Sequence, residues 1–423
     1  MMPNHTKPSL RPFVAGFWFG GFNGMTWMIG LGAPMVLLAE KLGASTLQVG
    51  LATSFVFLLL PLQIVATALL PRLGYQRQMV LAWILRALFL GVPLALAGAA
   101  PAAPTAWMPW LLVGSVFAFC LFRAFGTAAH IPWMAAILPI EVRGRFFATD
   151  QTLTALVGVA TLLACAALLR GDASWQAFRS VYAIAIAGSA CAVFSLSRLP
   201  SAPAPRSAPL GRLWEESLKL LRGGGLFRFY LGLSLLGAVI PYGMAGFTAY
   251  YLKVEAGVSS SRILVLTAAH YAGGMLGGWA IRRFIDAFPL RRFFRVAATI
   301  QSLVFLFWLA LLRGADGLLP WLPAAFLAFG AAATIANSSH FTYLPSLAEE
   351  DERPVMVAVF TAVFGFLSGL SPVLWGLLLK QEGATPGMNA DAFAAYFVVG
   401  ATLALALVWL FGRLPELREH ARR

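Results

Sequence analysis

The sequence is short of charged residues. Asp, Glu, Lys and Arg make up only 11% of the 423 residues, whereas 60% of the residues are hydrophobic. Because about a quarter of the residues in a soluble domain are charged, this composition excludes a soluble enzyme of this length. Carboxylates are the scarcest group, with 17 Asp plus Glu against 31 Lys plus Arg. The composition indicates an integral membrane protein.

Cysteines and clustered metal ligands are also sparse. Cys120, Cys165 and Cys191 all lie in apolar runs, and their spacing matches no metal site. No nucleotide-binding loop and no cluster of metal ligands is visible in the sequence. The sequence therefore predicts no metal and no cofactor, and it offers no residues for an enzymatic reaction.

Long apolar runs dominate what remains. A hydrocarbon core about 30 Å thick requires about 20 helical residues, and continuous runs of that length exclude a barrel of short alternating strands. The fold class predicted is an all-α membrane protein with 12 transmembrane helices. The predicted spans are 13–38, 46–70, 78–98, 108–137, 146–169, 179–198, 226–252, 260–284, 292–312, 318–346, 355–380 and 390–412.

The excess of positive charge is distributed unevenly over the predicted loops. If the first span starts in the cytoplasm, 22 of the 31 basic residues fall on the cytoplasmic side, 7 on the outer side, and Arg86 and Arg123 lie inside spans. This bias predicts that both termini are cytoplasmic, in a multi-pass protein of a bacterial inner membrane. Basic residues spread over many inner loops favour contact with anionic lipid and argue against nucleic acid as a partner.

A linker divides the chain into two similar parts. Residues 199–225 begin with a Pro/Ala/Ser stretch and continue as an amphipathic segment, 210–222, that suits a helix on the membrane surface. The predicted domains are two six-helix bundles, 1–198 and 226–423. Corresponding residues lie 210 positions apart, which indicates a parallel repeat. The matched pairs are His130 and His340, Arg143 and Arg353, and Arg72 and Arg282.

The segment from Leu138 to Arg145 reads LPIEVRGR. Together with the 12 spans and the central linker, this segment resembles the fourth-loop signature of the major facilitator superfamily. The resemblance implies a transporter with a central cavity lined by spans one, four, seven and ten. The family's other loop signature survives only around Arg72, with Pro71 where the family has an Asp. The resemblance assigns an inner gate to Arg72, Arg143, Arg145, Arg282, Asp286 and Arg353.

Ionisable residues inside spans are costly and are therefore candidates for function. Arg123, Thr127 and His130 share one face of the fourth span, and the resemblance places that face in the substrate path. An unrepeated arginine at this depth suits recognition of an anion. The alternative is a structural ion pair between Arg123 and Asp150. Further candidates for hydrogen bonds to a solute are Asn23, Gln63, Tyr242 and Asn337; the alternative for each is a hydrogen bond between helices.

The candidate proton carriers are His130, His340, Asp150 and His270. Histidine titrates near neutral pH, which suits coupling to a proton gradient. The alternatives are interfacial histidines already satisfied by neighbours and, for Asp150, a gate or a helix-packing contact. Arg86 in the third span is expected to extend along apolar surface towards the inner face.

These residues favour a secondary active transporter that moves a small solute, with an organic anion as the preferred substrate. The candidate coupling ion is the proton. The predicted protein is a monomer that contacts membrane lipid. A proton-driven exporter of hydrophobic drugs is an alternative. It is disfavoured by the shortage of carboxylates within the membrane. A protein of the same fold that handles lipid or assists assembly is a further alternative, because one fold serves many functions.

Overall fold

The structure is a computed structural model of the chain. It describes residues 10–100, 102–171, 173–203, 219, 222, 225–239, 241–284, 288–347, 353–380 and 388–415. Within these residues the regular structure is helical, and the one β contact is an isolated bridge between Lys380 and Met388. The predicted all-α membrane fold is confirmed. The predicted surface helix at 210–222 lies almost wholly outside the described residues.

The first half of the chain, up to residue 203, begins most of its helices at polar caps or at prolines. Ser45 and Gln48 form a capping box at the start of the third helix, and the Ser174 side chain caps the tenth. The helices are α1 (Val14–Gly30), α2 (Ala33–Lys41), α3 (Thr46–Leu58), α4 (Leu62–Thr67), α5 (Leu70–Leu73), α6 (Tyr75–Leu88), α7 (Gly91–Ala99), α8 (Trp107–Ile137), α9 (Ile140–Leu168) and α10 (Trp175–Ser197).

The second half, from residue 225, repeats this pattern with fewer breaks. Asn389 caps its last long helix by accepting a hydrogen bond from the backbone N–H of Ala392. The helices are α11 (Leu226–Ala238), α12 (Pro241–Val254), α13 (Ser260–Phe284), α14 (Leu290–Leu312), α15 (Leu322–Tyr343), α16 (Arg353–Leu378) and α17 (Ala390–Leu410).

The predicted spans coincide with these helices. Ten helical segments in the described residues are long and apolar enough to cross a membrane, and the bent pair 46–58 and 62–73 makes an eleventh. The remaining predicted span, 260–284, is the 25-residue helix α13. At 1.5 Å per residue α13 is about 38 Å long, which suffices to cross the membrane even though its sequence is more polar than the others.

Four of the predicted spans, the first, second, third and seventh, are divided between consecutive helices, and in the first two the break involves proline. The first bends at Gly32, whose extended backbone precedes Pro34 near the start of α2. The second bends by 44° where Pro61 separates α3 from α4. Proline lacks the N–H that would continue a helix, so both breaks follow from local sequence. At these breaks, backbone N–H and C=O groups lack the intrahelical hydrogen bonds that a continuous helix would provide.

Buried apolar side chains form several clusters. One cluster contains residues of both halves, and the others each contain residues of one half. The joining cluster includes Met28 and Tyr182 from the first half and Tyr250 and Phe397 from the second. At the predicted inner ends of the helices, each half has its own cluster, one around Trp133 and one built entirely from second-half residues. In the described part of the chain, the halves are thus joined on the predicted outer side and separate on the predicted inner side.

Helices α13 and α15 pack at very close range through glycines. A Cβ added to Gly330 would collide with the backbone oxygen of His270, and one added to Gly273 would collide with the backbone oxygen of Leu327. Neither contact can be relieved by turning a side chain. The two helix backbones therefore approach each other only because both positions lack a side chain.

Gly330→Ala is expected to force α13 and α15 apart and to destabilise the protein by about 3 kcal/mol or more, at the upper end of overpacking effects. The measurement is the thermal unfolding midpoint of the purified protein, with the yield of monodisperse protein on size exclusion. Gly114→Ala is the matched control, because a Cβ at Gly114 meets nothing within 4 Å. Equal midpoints for the two variants would contradict the close packing.

Candidate functional site

Two cavities follow each other along the predicted membrane normal. The outer cavity lies between the halves, whereas the described lining of the inner cavity comes from the second half except for Phe57. The outer cavity has a volume of about 220 Å³ and reaches Trp308, near the end of α14. The inner cavity has a volume of about 210 Å³ and reaches Phe294, near the start of the same helix. Fourteen residues of helix separate these side chains by about 21 Å. The cavities therefore follow each other across the membrane.

A partition separates the two cavities. It consists of the residues that line both of them: Phe57, Tyr242, Ala245, His270 and Phe329. The Phe57 ring comes from the first half and meets the Tyr242 ring of the second half edge-on at 4.5 Å. His270 lies 5.4 Å from the Phe329 ring. Because the partition draws on both halves, a relative movement of the halves would open or close it.

The outer cavity is sealed on the predicted outer side by hydrogen bonds between the halves. The Tyr250 hydroxyl donates to the backbone oxygen of Ala44 at 3.0 Å, and the Thr46 hydroxyl donates to the backbone oxygen of Gly376 at 2.9 Å. On the inner side, Asn337 lines the inner cavity and is exposed, although it lies well inside α15. The described residues thus join the halves by hydrogen bonds on the predicted outer side, while the apolar clusters at the predicted inner ends each belong to one half.

Arg123 reaches the wall of the outer cavity from behind. Its guanidinium lies 4.6 Å from the centre of the Trp27 ring and donates a hydrogen bond to the backbone oxygen of Val56 at 3.3 Å. Both Trp27 and Val56 line the outer cavity. Arg123 itself is partly buried in α8. Arg123 thus contacts two residues of the cavity wall and is not itself a lining residue.

The prediction that Arg86 extends to the inner face is wrong. Arg86 is 1% exposed, and it donates a hydrogen bond of 2.6 Å to the side-chain oxygen of Asn23. Its guanidinium stacks on Trp83 and Phe119 at 4.3 and 4.6 Å, while its Nε–H has no hydrogen-bond partner within the described part of the chain. Asn23 is held by this contact and by the Trp83 indole N–H at 3.2 Å. Stacking and the amide hold the arginine inside the bundle.

The alternative ion pair between Arg123 and Asp150 is not formed. The Asp150 carboxylate packs against Gly20 of α1, where an added Cβ would collide with it. Arg86 and Arg123 interact electrostatically with each other across Cys120, and in the described part of the chain no carboxylate contributes to either group's field. The first half therefore holds two arginines close together without a carboxylate partner.

The three histidines predicted as proton carriers differ in their contacts and in their position relative to the cavities. His340 lines the inner cavity, shares a 2.5 Å hydrogen bond with the Tyr230 hydroxyl, and is ringed by Phe294, Phe360 and Phe364. His270 is part of the partition and hydrogen-bonds the backbone of Phe326. His130 lies 5.7 Å from the Phe19 ring and is not among the lining residues of either cavity.

The other predicted residues are distributed unevenly. Tyr242 and Asn337 line the cavities, whereas the Thr127 hydroxyl is bonded to the backbone oxygen of Arg123 and Gln63 is only partly buried, outside both linings. In the predicted gate, Arg72 and Arg282 are exposed. The side chains of Arg143, Arg145 and Arg353, and all of Asp286, lie outside the described residues.

Aromatic lining residues were missed by sequence reasoning. Trp27, Phe57 and Phe329 form much of the cavity wall, yet no aromatic residue was a candidate there apart from Tyr242. Trp27 follows Asn23 by four residues and so shares its helix face, which was the one signal available. Phe57 and Phe329 are indistinguishable in sequence from lipid-facing phenylalanines.

Comparison with known proteins shows the fold. No family model and no curated protein matches the sequence. Among solved structures, a D-xylose–proton symporter is 16% identical with a TM-score of 0.72, covering 96% of this chain and 98% of its own. A mutant form of the nucleoside transporter NupG is 14% identical with a TM-score of 0.70, covering 95% of this chain and 99% of its own.

A bacterial homologue of the iron transporter ferroportin, in its inward-facing state, is 13% identical with a TM-score of 0.66, covering 96% of this chain and 99% of its own. At such identities the likeness shows the fold and nothing finer. The chain has the major facilitator fold, so the predicted fold class is confirmed.

Proposed function

We propose that this chain, which has the major facilitator fold, is a secondary active transporter that moves a small organic anion by alternating access. The observation that carries the proposal is the arginine pair of the first half. Arg123 touches the wall of the outer cavity through Trp27 and Val56, and Arg86 lies behind it. Both termini are cytoplasmic on this proposal, and the protein acts as a monomer.

The electrostatics favour an anion as the solute. A charge in the membrane interior costs at least about 2.5 kcal/mol, and two like charges without a carboxylate add mutual repulsion. A bound anion would compensate both costs, and a guanidinium is suited to hold a carboxylate through two parallel hydrogen bonds. A cationic drug would increase the free-energy cost of the buried positive charges, since no carboxylate lines either cavity within the described residues.

The cavity walls favour a solute with an apolar body. Trp27, Phe57, Tyr242, Trp308 and Phe329 face the outer cavity, and its volume of about 220 Å³ limits the solute to a small molecule. Aromatic walls provide stacking surface, and few polar groups remain to orient the ligand. The solute we propose is therefore a small carboxylate or similar anion with an aromatic or aliphatic body.

Transport requires two movements that the geometry makes possible. Trp27 must turn aside for the anion to reach Arg123, and the partition at Phe57 and Tyr242 must part for the anion to pass between the cavities. Rocking of the halves would break the outer seal at Tyr250 as the inner opening closes. The same solute site would then face each side in turn.

The test is a thermal-stability screen of the detergent-purified protein with matched panels of organic anions, cations and neutral solutes at pH 6 and pH 8. A ligand present at 100 times its dissociation constant adds about 2.7 kcal/mol of stability. We expect stabilisation by anions, followed by uptake of the same anion into liposomes. Stabilisation confined to cations or neutral solutes would overturn the anion assignment.

Lipid handling is a second candidate, favoured by one observation. An apolar groove of about 770 Å³ lies between α11, α16 and α17, and Arg228 lies at one end of it. A basic side chain beside an apolar groove suits an anionic lipid. Native mass spectrometry of the purified protein would detect a retained phospholipid. Retention without any solute-dependent uptake in liposomes would favour lipid handling over solute transport.

A further inference from the structure

A third cavity lies at the predicted outer end of the molecule, apart from the transport cavities. Its volume is about 220 Å³, and it lies where the ends of α2 and α12 meet the start of α13. Its lining residues are Leu37, Glu40, Lys41, Ala173, Phe178, Lys253 and Ser260. Four of these seven side chains are polar or charged, and none of the seven lines the outer or the inner cavity.

Ser260 gives this cavity an unused hydrogen-bonding group. It is the first residue of the 25-residue helix α13, it is 1% exposed, and its hydroxyl has no hydrogen-bond partner among the residues that the structure describes. A buried hydroxyl without a partner costs about 1–3 kcal/mol. The first N–H groups of a helix also lack partners within the helix and carry its positive dipole end. Hydroxyl and helix end together offer donors to an anion.

Two lysines add positive charge from both halves. Lys41 comes from the first half and lies 4.8 Å above the Trp175 ring, and Lys253 comes from the second half. Glu40 interacts electrostatically with both lysines. Among the described lining residues the formal charge is therefore one positive unit, since one of the two lysines is offset by Glu40.

We infer that this cavity binds a small inorganic anion, a halide or a tetrahedral oxyanion, between Lys41, Lys253 and Ser260. The anion would satisfy the Ser260 hydroxyl and the positive end of α13, as anions do at helix N-termini. Because its partners come from both halves, the anion would also stabilise the closed outer side. The volume of the cavity admits one such ion together with a few water molecules, each of which occupies about 30 Å³.

The experiment is a titration of the full-length, detergent-purified protein with chloride, sulfate or phosphate against gluconate at constant ionic strength, followed by thermal unfolding. We expect a saturable rise in the unfolding midpoint. Lys253→Met and Ser260→Ala should weaken the apparent affinity by about tenfold or more, the loss expected when a hydrogen bond to a charged group is removed. Glu40→Gln should strengthen it severalfold, since it removes the competing negative charge. Comparing the three ions identifies which anion fits.

Lys380→Met is the matched control, because Lys380 is an exposed lysine outside this cavity. It should leave the titration unchanged. If Lys253→Met does not fold, Lys253→Arg and Ser260→Ala are titrated by isothermal calorimetry with the same ion. A midpoint that follows ionic strength alone, or an affinity that is equal in all variants, would overturn the inference. So would a Glu40→Gln variant that binds the anion no more tightly.

Discussion

Arg123→Gln is expected to abolish the stabilisation of the protein by its organic anion and to lower uptake into liposomes by about tenfold or more. A hydrogen bond to a charged group contributes about 1.5–3 kcal/mol, which corresponds to a loss of affinity of about 10-fold to 150-fold. Glutamine keeps much of the length and some of the donors but removes the charge. The measurements are the anion titration of the unfolding midpoint and the initial rate of uptake.

Matched variants separate recognition of the anion from packing. Arg179→Gln is the control for the substitution itself, because Arg179 is exposed on α10. Arg123→Lys keeps the charge and should retain part of the affinity, with a lower preference for planar carboxylates over spherical anions. If Arg123→Gln binds the anion as tightly as the unchanged protein, Arg123 has only a structural role and the anion proposal is wrong.

Arg86 contributes to the same field in a different way. It is buried, stacked between two aromatic rings and bonded to Asn23, so it has no open path to a solute. Its charge nevertheless raises the positive potential at Arg123, since the two groups interact across Cys120. We therefore place Arg123 in contact with the anion and Arg86 behind it, as the residue that positions Asn23 and reinforces the charge.

The helices were predictable because each crosses an apolar layer of fixed thickness, and a run of suitable length can fold there only as a helix. The breaks at Gly32 and Pro61 could also have been predicted from the sequence, since both involve proline. The burial of Arg86 was not. From the sequence, an arginine in a span is equally able to extend to an interface or to turn inwards. Only the positions of Trp83, Phe119 and Asn23 decide between them.

The candidate site was predictable only in part, because its shape depends on how the halves meet. The repeat singled out His130 and His340, yet the cavities do not follow the repeat: His340 lines one and His130 lines neither. The partition combines Phe57 and His270, which no motif links. A residue's distance from the partner half is not encoded in its local pattern, so the sequence could not distinguish His270 from the other candidate histidines.

His270→Gln is expected to abolish accumulation of the anion driven by a proton gradient, while exchange of labelled for unlabelled anion continues. A coupling proton must reach its carrier from each side in turn, and His270 lines both cavities. Of the five partition residues, His270 is the one whose side chain carries a basic nitrogen that can bind and release a proton. Glutamine preserves a polar amide there but carries no proton. The measurement is the accumulation ratio in liposomes with an imposed pH gradient, beside the exchange rate without one.

His130→Gln is the control, because His130 lies beside Phe19 outside both linings, and it should accumulate the anion normally. His340 tests the depth of the coupling site. It reaches only the inner cavity and is bonded to Tyr230, so His340→Gln should slow accumulation without abolishing it. If His270→Gln still accumulates the anion while His340→Gln does not, the proton is carried on the inner side alone. Movement of the partition, not its titration, would then couple proton to anion.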